Sequence, residues 1–188
     1  MKKTVLKVTL CLAISVLFTA CSKDDDNGDA IVPDGRISFD VSIEGSDQDE
    51  AASLEADATY EIHHNTNGVR WVAINGLAEN IFSIGFRLHM EDDNVHLPSP
   101  GTYNLIRTVS FGSLKEKTLR TQFYDYRGDG TDYYGGDGGE VEGTMTITSN
   151  DNGIITGTFS FEAYNASGNK KAIITNGKFS ATNMYPPL

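Results

Sequence analysis

The residues of this chain that are best suited to chemistry lie in one acidic, glycine-rich stretch, Asp125–Glu140. Carboxylates separated by glycines are typical of calcium sites, because calcium takes about six to eight oxygen ligands from flexible loops. The spacing does not match the EF-hand loop, so a solvated polar loop is the alternative interpretation. The candidate calcium ligands are Asp129, Asp132, Asp137 and Glu140.

The same stretch and its N-terminal border carry tyrosines, which suit a different ligand. Tyrosine rings pack on sugar rings, and the carboxylates of Asp129 and Asp132 can accept hydrogen bonds from sugar hydroxyls. A glycan-contacting surface is therefore an alternative to calcium, and the two hypotheses share residues. The candidate ring contacts are Tyr124, Tyr126, Tyr133 and Tyr134.

The histidines do not form a pattern typical of a metal site. A zinc site needs several converging ligands, whereas His63 and His64 are adjacent and point to opposite faces of any strand that contains them. His89 and His96 flank the acidic segment Glu91–Asp93 and can approach each other. We expect all four to be exposed polar residues rather than metal ligands.

Motifs of the common catalytic machineries are missing from the sequence. It contains no G-x-S-x-G nucleophile elbow, no phosphate-binding glycine motif, and no cysteine–histidine pair once the leader is removed. Acids are plentiful, but no pair of them is marked by an apolar setting that would raise one pKa for glycoside hydrolysis. We therefore expect a protein that is not an enzyme, with a glycan-active enzyme as an alternative.

The N-terminal segment, Met1–Ala20, has the form of a secretory signal. Lysines at its start precede an apolar run, Val8–Ala20, that is too short to span a bilayer comfortably. Small residues just before Cys21 resemble the bacterial lipoprotein box. That resemblance implies cleavage before Cys21, acylation of its sulfur and amino group, and anchoring in the lipid bilayer.

Residues 21–35 are interpreted as the acylated cysteine and a flexible acidic tether. The run Ser22–Asp26 (SKDDD) resembles the surface-export signal of Bacteroidota lipoproteins, which implies an outer-membrane location facing the cell exterior. A solvated charge run is the alternative. The chain has a formal net charge of −11 and no basic run, which argues against nucleic acid as a partner.

The remaining chain, residues 36–188, alternates apolar and polar residues in short runs, which predicts a single all-β domain. About eight to ten strands without a credible helix are typical of an antiparallel β-sandwich or a flattened lipocalin-like barrel. The clearest part, Glu140–Phe179, predicts a three-stranded antiparallel meander. The segments expected to lack strands are Glu44–Asp57, which is poor in β-forming residues, and the glycine-rich Arg127–Gly139.

Three motifs resemble a family of small Bacteroidota lipoproteins of uncharacterised function. They are Asn67-Gly68-x-x-Trp71-x-Ala73, Gly101-Thr102-Tyr103-x-Leu105, and Ile155-Thr156-Gly157-Thr158-Phe159-Ser160-Phe161-x-Ala163 followed by Ile174-Thr175-Asn176-Gly177-x-Phe179. The match covers roughly Asn67–Phe179. The resemblance implies an all-β, lipocalin-like or sandwich domain, and it transfers no catalytic residue.

Together these features predict a non-catalytic lipoprotein of the outer-membrane surface with a ligand-binding or accessory role, a glycan being the candidate ligand. The alternative is a structural lipoprotein that contacts other envelope proteins through an exposed strand edge or face.

Overall fold

The computed structural model describes residues 33–45, 50–64, 70–90, 97–107, 118–127, 131–135 and 139–185. Every helix or strand assigned within these ranges is a β-strand, as the sequence predicts. The strands are β1 (Arg36–Glu44), β2 (Glu50–His64), β3 (Arg70–Ala78), β4 (Phe82–Met90), β5 (Gly101–Ile106), β6 (Thr118–Asp125), β7 (Asp132–Tyr134), β8 (Val141–Ser149), β9 (Ile154–Tyr164) and β10 (Lys171–Asn183).

The described strands form one sheet that closes on itself into a nine-stranded barrel. Going around the barrel, the order is β4-β3-β2-β1-β10-β9-β8-β5-β6, and pairing between β6 and β4 closes the ring. The short strand β7 pairs with the second half of β6. The prediction of an all-β fold is confirmed, and of the two architectures that the sequence left open, the barrel is the one observed.

The pairing is antiparallel, as expected, with two exceptions. Strand β5 runs parallel to the first half of β6, with Asn104 opposite Thr118 and Ile106 opposite Arg120. Strands β2 and β10 also share a short parallel contact at Thr59 and Thr182. The first strand, β1, lies between β2 and β10, so the first and last of the described strands are paired with each other.

The predicted C-terminal meander is confirmed as β8–β9–β10. Its first turn has Asn152 and Gly153 at positive φ, 54° and 75°, a conformation that asparagine and glycine tolerate best. Residues of β9 alternate, so Phe159 and Phe161 are buried, whereas Thr158 and Ser160 are exposed.

The barrel interior is filled by side chains, many of them aromatic. Ring centroids lie 5.0 Å apart both for Phe39 with Phe82 and for Phe86 with Phe159, within the range of favourable edge and tilted contacts. A lipocalin-like ligand chamber is therefore replaced by a packed core. Its phenylalanines are Phe39, Phe82, Phe86, Phe123, Phe159, Phe161 and Phe179.

Two glycines provide the space for two of these rings. A Cβ atom at Gly157 would lie 2.7 Å from the ring of Phe179, and one at Gly177 would lie 2.5 Å from the ring of Phe159. Because Gly157 pairs with Phe179 and Gly177 with Phe159, each glycine accommodates its cross-strand neighbour. The small size of Gly157 and Gly177 is therefore required by the packing of the core.

The prediction that Glu44–Asp57 lacks strands is wrong, because β2 begins at Glu50. Its first half pairs with β1 along the whole register from Arg36–Asp57 to Ile43–Glu50. Small residues face the interior here, and the guanidinium of Arg36 binds Glu55 and Asp57 at 2.7 and 2.8 Å. Pairing with an apolar neighbour strand outweighs the weak strand preference of alanine and acids.

The prediction that Arg127–Gly139 is only a loop is also wrong in part. Strand β7 lies inside it and pairs Tyr133 with Tyr124 and Tyr134 with Phe123. A further bridge links Tyr134 to Asn165, at the end of β9. Burial of Tyr134 stabilises the short strand. Three residues are too few to display an alternating pattern that would predict it.

Candidate functional site

Tyrosine side chains form a row on the outer wall of the barrel at β6 and β7. The rings of Tyr124 and Tyr133 are 4.4 Å apart with an angle of 15° between their planes. Tyr126 continues the row, with its ring 6.2 Å from Tyr124 at an angle of 10°. All three are partly exposed. The structure therefore brings together three of the four predicted ring contacts, hereafter the tyrosine row.

The expectation that Tyr134 contacts a ligand is wrong. Its side chain is fully buried and its ring packs on Phe123 at 5.9 Å. The cause is the twofold alternation of a strand: Tyr133 and Tyr134 are neighbours, so one faces out and the other faces in. Tyr134 belongs to the core, and its burial fixes Tyr133 on the outside.

The chain directly after β6 is held by a charged pair. The carboxylate of Asp125 is buried, and it accepts hydrogen bonds from Nε and Nη2 of Arg127 at 2.9 and 2.7 Å. The backbone N–H of Arg127 donates to the same carboxylate at 3.0 Å. This local turn orients Tyr126, which lies between the two charged residues in sequence.

Two of the four predicted calcium ligands lie in the described part of the chain, and they face different partners. Asp132 forms an ion pair with Lys170 at 2.7 Å. Glu140 is exposed and lines an open groove of about 620 Å³ together with Glu142 and Glu162. Asp129 and Asp137 lie outside the described residues.

Within the described ranges, no group of three or more metal-binding side chains converges. The calcium hypothesis stays a prediction, because half of its ligand set lies outside those ranges.

Of the histidines, His63 has a described side chain that makes a specific contact. Its ring stacks on Trp71 with a centroid distance of 4.9 Å and an angle of 12°, and its Nε2 lies 3.2 Å from Glu61. Trp71 thus covers an outward-facing histidine instead of entering the core. His96 lies outside the described residues.

A pair of arginines next to the tyrosine row was not singled out from the sequence. Arg87 of β4 and Arg120 of β6 occupy directly opposed register positions, hereafter the arginine pair. Arg87 is exposed, whereas Arg120 is 4 % exposed. Burial and the nearby charge of Arg87 lower the pKa of Arg120.

Between the arginine pair and the tyrosine row, two amides flank a glycine. A Cβ atom at Gly85 would lie 3.3 Å from Oδ1 of Asn75 and 3.5 Å from Nε2 of Gln122. The register places all three in one cross-strand line, Asn75–Gly85–Gln122. Asn75 is itself oriented by a hydrogen bond that its Nδ2 donates to Glu61 at 3.2 Å. We call the outer face of β3, β4, β6 and β7 the arginine–tyrosine wall.

The outer face of β5, β8 and β9, hereafter the hydroxyl wall, has a different chemistry. The hydroxyls of Thr102 and Thr146 are 3.0 Å apart, and those of Thr148 and Thr156 are 2.9 Å apart. An open groove of about 400 Å³ runs from this wall onto β10. The outward hydroxyl residues of the wall are Thr102, Thr144, Thr146, Thr148, Thr156, Thr158 and Ser160.

A third polar cluster, on β1, joins three strands. Asp40 accepts hydrogen bonds from Nδ2 of Asn176 at 2.8 Å and from the hydroxyl of Ser53 at 2.5 Å. These bonds, that of Asn176 first, lower the pKa of the Asp40 carboxyl. The cluster lies where both β1 and β10 shift register, and all of its groups bind each other, so its role is to hold the strands together.

The predicted anchor, Cys21, and the signal segment lie outside the described residues. Among the residues that are described, no helix has the length and apolar character needed to cross a membrane. Comparisons with protein-family models, with curated proteins and with solved structures found no match to this chain. The resemblance to Bacteroidota lipoproteins therefore stays a prediction.

Proposed function

We propose that this protein is a lipid-anchored, non-catalytic binding protein of the outer-membrane surface, and that it holds a glycan on the arginine–tyrosine wall of its barrel. The observation that carries the proposal is the contrast between a core filled by phenylalanines and a wall that carries the tyrosine row. A ligand cannot enter a packed interior. Exposed rings beside amides are the groups with which proteins recognise sugars.

The geometry of the tyrosine row limits how a sugar can bind. Tyr124 lies between Tyr126 and Tyr133 in the row, and its ring is already stacked on that of Tyr133. A sugar ring therefore packs against the outer ring faces at the ends of the row, and it meets the Tyr124 hydroxyl and ring edge in between. The row is an extended contact for a chain of sugars rather than a pocket for one.

A non-catalytic role is supported by the placement of the acids. Asp125 is the buried carboxylate among the described residues, and both of its oxygens accept hydrogen bonds from Arg127. Glycoside hydrolysis requires two carboxyl groups that face each other across the substrate, one of them protonated. The described acids on the arginine–tyrosine wall do not form such a pair, and Asp132 is bound to Lys170.

The anchoring part of the proposal rests on Cys21 and the basic, apolar leader before it. Globomycin should block cleavage of the precursor, which would then migrate at its full size, and protease added to intact cells should remove the mature protein. A precursor that matures normally under globomycin would disprove lipidation at Cys21. Survival of the protein on protease-treated cells would disprove display at the outer surface.

The binding part is tested with the purified mature protein on a glycan array, followed by titration calorimetry with each hit. Replacing Tyr126, which lies at one end of the row, with alanine should weaken binding about tenfold, since a ring contact contributes about 0.5–1.5 kcal/mol beyond its buried area. The matched control is Tyr185→Ala, which removes a tyrosine that is 70 % exposed beyond β10. Equal affinities for the two variants would contradict the proposed site.

A second candidate function, contact with another envelope protein, is favoured by one observation. Leu77 and Ile81 are 59 % and 43 % exposed at the end of the same wall, and the N–H of Tyr126 donates to the carbonyl of Ile81. Exposed apolar groups beside tyrosines are typical of protein interfaces. Crosslinking in intact cells from a photoreactive residue at position 77 would decide: a specific protein adduct supports this alternative, and glycan binding without an adduct supports the first.

A further inference from the structure

The first half of β2 forms an edge of the sheet. Residues 50–56 pair with β1 on one side, whereas β3 pairs only with residues 57–64. Because β3 ends at Ala78, none of the described strands lies beside residues 50–56 on the side away from β1. A closed barrel normally leaves no strand edge. This side of residues 50–56, hereafter the open edge, is an exception to that rule within the described part of the chain.

The hydrogen bonds of β2 show which backbone groups lie on the open edge. The N–H of Ala58 and the carbonyl of Tyr60 both bond on the side of β1 and β10, and the register of β2 with β1 is continuous. Successive residues of a strand direct their backbone groups to opposite sides. Ala51, Ser53 and Glu55 therefore direct their N–H and C=O groups to the open edge, where a further strand can pair with them.

The side chains of the open edge do little to prevent such pairing. Natural strand edges are commonly blocked by lysine, by proline or by a bulge. The sequence of residues 50–56 is EAASLEA, which contains neither lysine nor proline, and no bulge interrupts its pairing with β1. The charge of Glu55 is partly compensated within the chain, because Arg36 binds its carboxylate at 2.7 Å.

The open edge is complementary to itself. In an antiparallel pair of two copies centred on Ser53, each Glu55 lies opposite Ala51 of the other copy, so these glutamates do not face each other. Leu54, which is half-buried against the core, lies opposite the small Ala52. Three residues of each copy direct backbone groups across this pair, which gives about six hydrogen bonds between the copies.

We propose that two copies of this chain associate by antiparallel pairing of their open edges, with Ser53 of each copy at the twofold axis. This pairing also covers an apolar side chain. Leu77 is 59 % exposed at the end of β3, where it pairs with Asp57, two residues from Glu55. In the dimer, β3 of one copy ends where β2 of the other begins, so Leu77 contacts Ala51 of the second copy. The inference does not depend on the proposed glycan binding.

The register of the dimer is tested by disulfide trapping of the purified mature protein carrying Cys21→Ser, so that each introduced thiol is the only one. The Cα atoms of residues opposed in a hydrogen-bonded pair are about 5.5 Å apart, which a disulfide can bridge. Ser53→Cys should therefore form a covalent dimer on mild oxidation. Ala51→Cys and Glu55→Cys should each do so at least about fivefold less alone, and as readily as Ser53→Cys when the two are mixed.

The oxidation is carried out at about 0.15 M salt, where repulsion between two acidic copies is screened beyond about 8 Å. Ser160→Cys, at an exposed position of β9, measures disulfides formed by random collision. If Ser53→Cys gives no more dimer than Ser160→Cys, the proposed association is wrong. If mixing Ala51→Cys with Glu55→Cys gives no more dimer than either variant alone, the proposed register is wrong. Because no glycan is present, neither result bears on the proposed function.

Discussion

The arginine–tyrosine wall and the hydroxyl wall are built from the same kind of strand, and they offer ligands very different chemistry. On the hydroxyl wall the side chains are short and bond to one another, as Thr102 does with Thr146. On the arginine–tyrosine wall the side chains are long or aromatic, and exposed groups such as Arg87 extend from the strand surface. Strand geometry determines where the outward residues lie, but side-chain length and charge determine which wall can bind a ligand.

The largest loss of stability is expected from a substitution at Gly157, on the inward side of the hydroxyl wall, where β9 has no room for a side chain. Gly157→Val would place side-chain atoms against the ring of Phe179 and the carbonyl of Thr146, so we expect a loss of about 3 kcal/mol in the free energy of unfolding. Urea denaturation measures it. The control Ser160→Thr, at an exposed position of the same strand, should change stability by less than about 0.5 kcal/mol.

The second effect concerns the support of the tyrosine row. Arg127→Ala would leave the buried carboxylate of Asp125 without its guanidinium, which should cost about 2 kcal/mol of stability. Lys170→Ala is the matched control, because the pair of Lys170 with Asp132 is more exposed and should contribute about 0.5 kcal/mol or less. Equal losses in the two variants would show that the Asp125–Arg127 turn does not hold this end of the wall.

A smaller change in stability is expected when Asp40 is protonated at low pH. Its cluster with Ser53 and Asn176 lies on neither wall. Hydrogen bonds lower the pKa of Asp40 below its ordinary 3.8, so its folded carboxyl binds a proton less readily than the unfolded one. Its contribution to stability is therefore complete above about pH 4 and is lost as the pH falls through the folded pKa.

Replacing Asp40 with asparagine should consequently flatten the fall in unfolding free energy below about pH 4, measured by urea denaturation at each pH. The control Asp151→Asn, at an exposed turn, should show the same dependence of unfolding free energy on pH as the unmodified protein. An unchanged slope in Asp40→Asn would mean that the hydrogen bonds of this carboxyl do not couple to folding.

The smallest effect is expected on the outer surface of the hydroxyl wall. Thr146→Val removes one side of the hydroxyl contact with Thr102 and keeps the shape of the side chain, so stability should fall by about 0.5 kcal/mol. Glycan affinity should stay unchanged, because this wall takes no part in the proposed site. A marked loss of affinity in Thr146→Val would transfer the binding function from one wall to the other.

Alternation in the sequence was enough to predict the C-terminal meander, because its inward residues are large and apolar. It failed for the first half of β2, where Ala56 faces inward and carries little hydrophobic signal. It failed for β7 because three residues cannot display a period. In both cases the strand is held by its neighbours, Phe39 opposite Leu54 and Phe123 opposite Tyr134, and such contacts cannot be read from a local window.

The site was predictable to the extent that it is local. Tyr124 and Tyr126 lie two residues apart on a recognisable strand, so a shared face could be predicted. The arginine pair could not be predicted. Arg87 and Arg120 are brought together only because β4 pairs directly with β6, although β5 separates these two strands in the sequence. Their positions in the sequence give no signal until the register of the closed barrel is known.

The pairing of β1 with β10 has a consequence for how the protein is made. Arg36 pairs with Ser180, so one edge of β1 has no strand partner until β10 has been synthesised, although the other edge can pair with β2 earlier. Closing so long a stretch of chain is slow compared with forming a hairpin, and an N-terminal fragment lacks the partner that completes the ring. We expect the nascent chain to stay unfolded until its C-terminal strand is available, which is the state that a secretory translocase requires of its cargo.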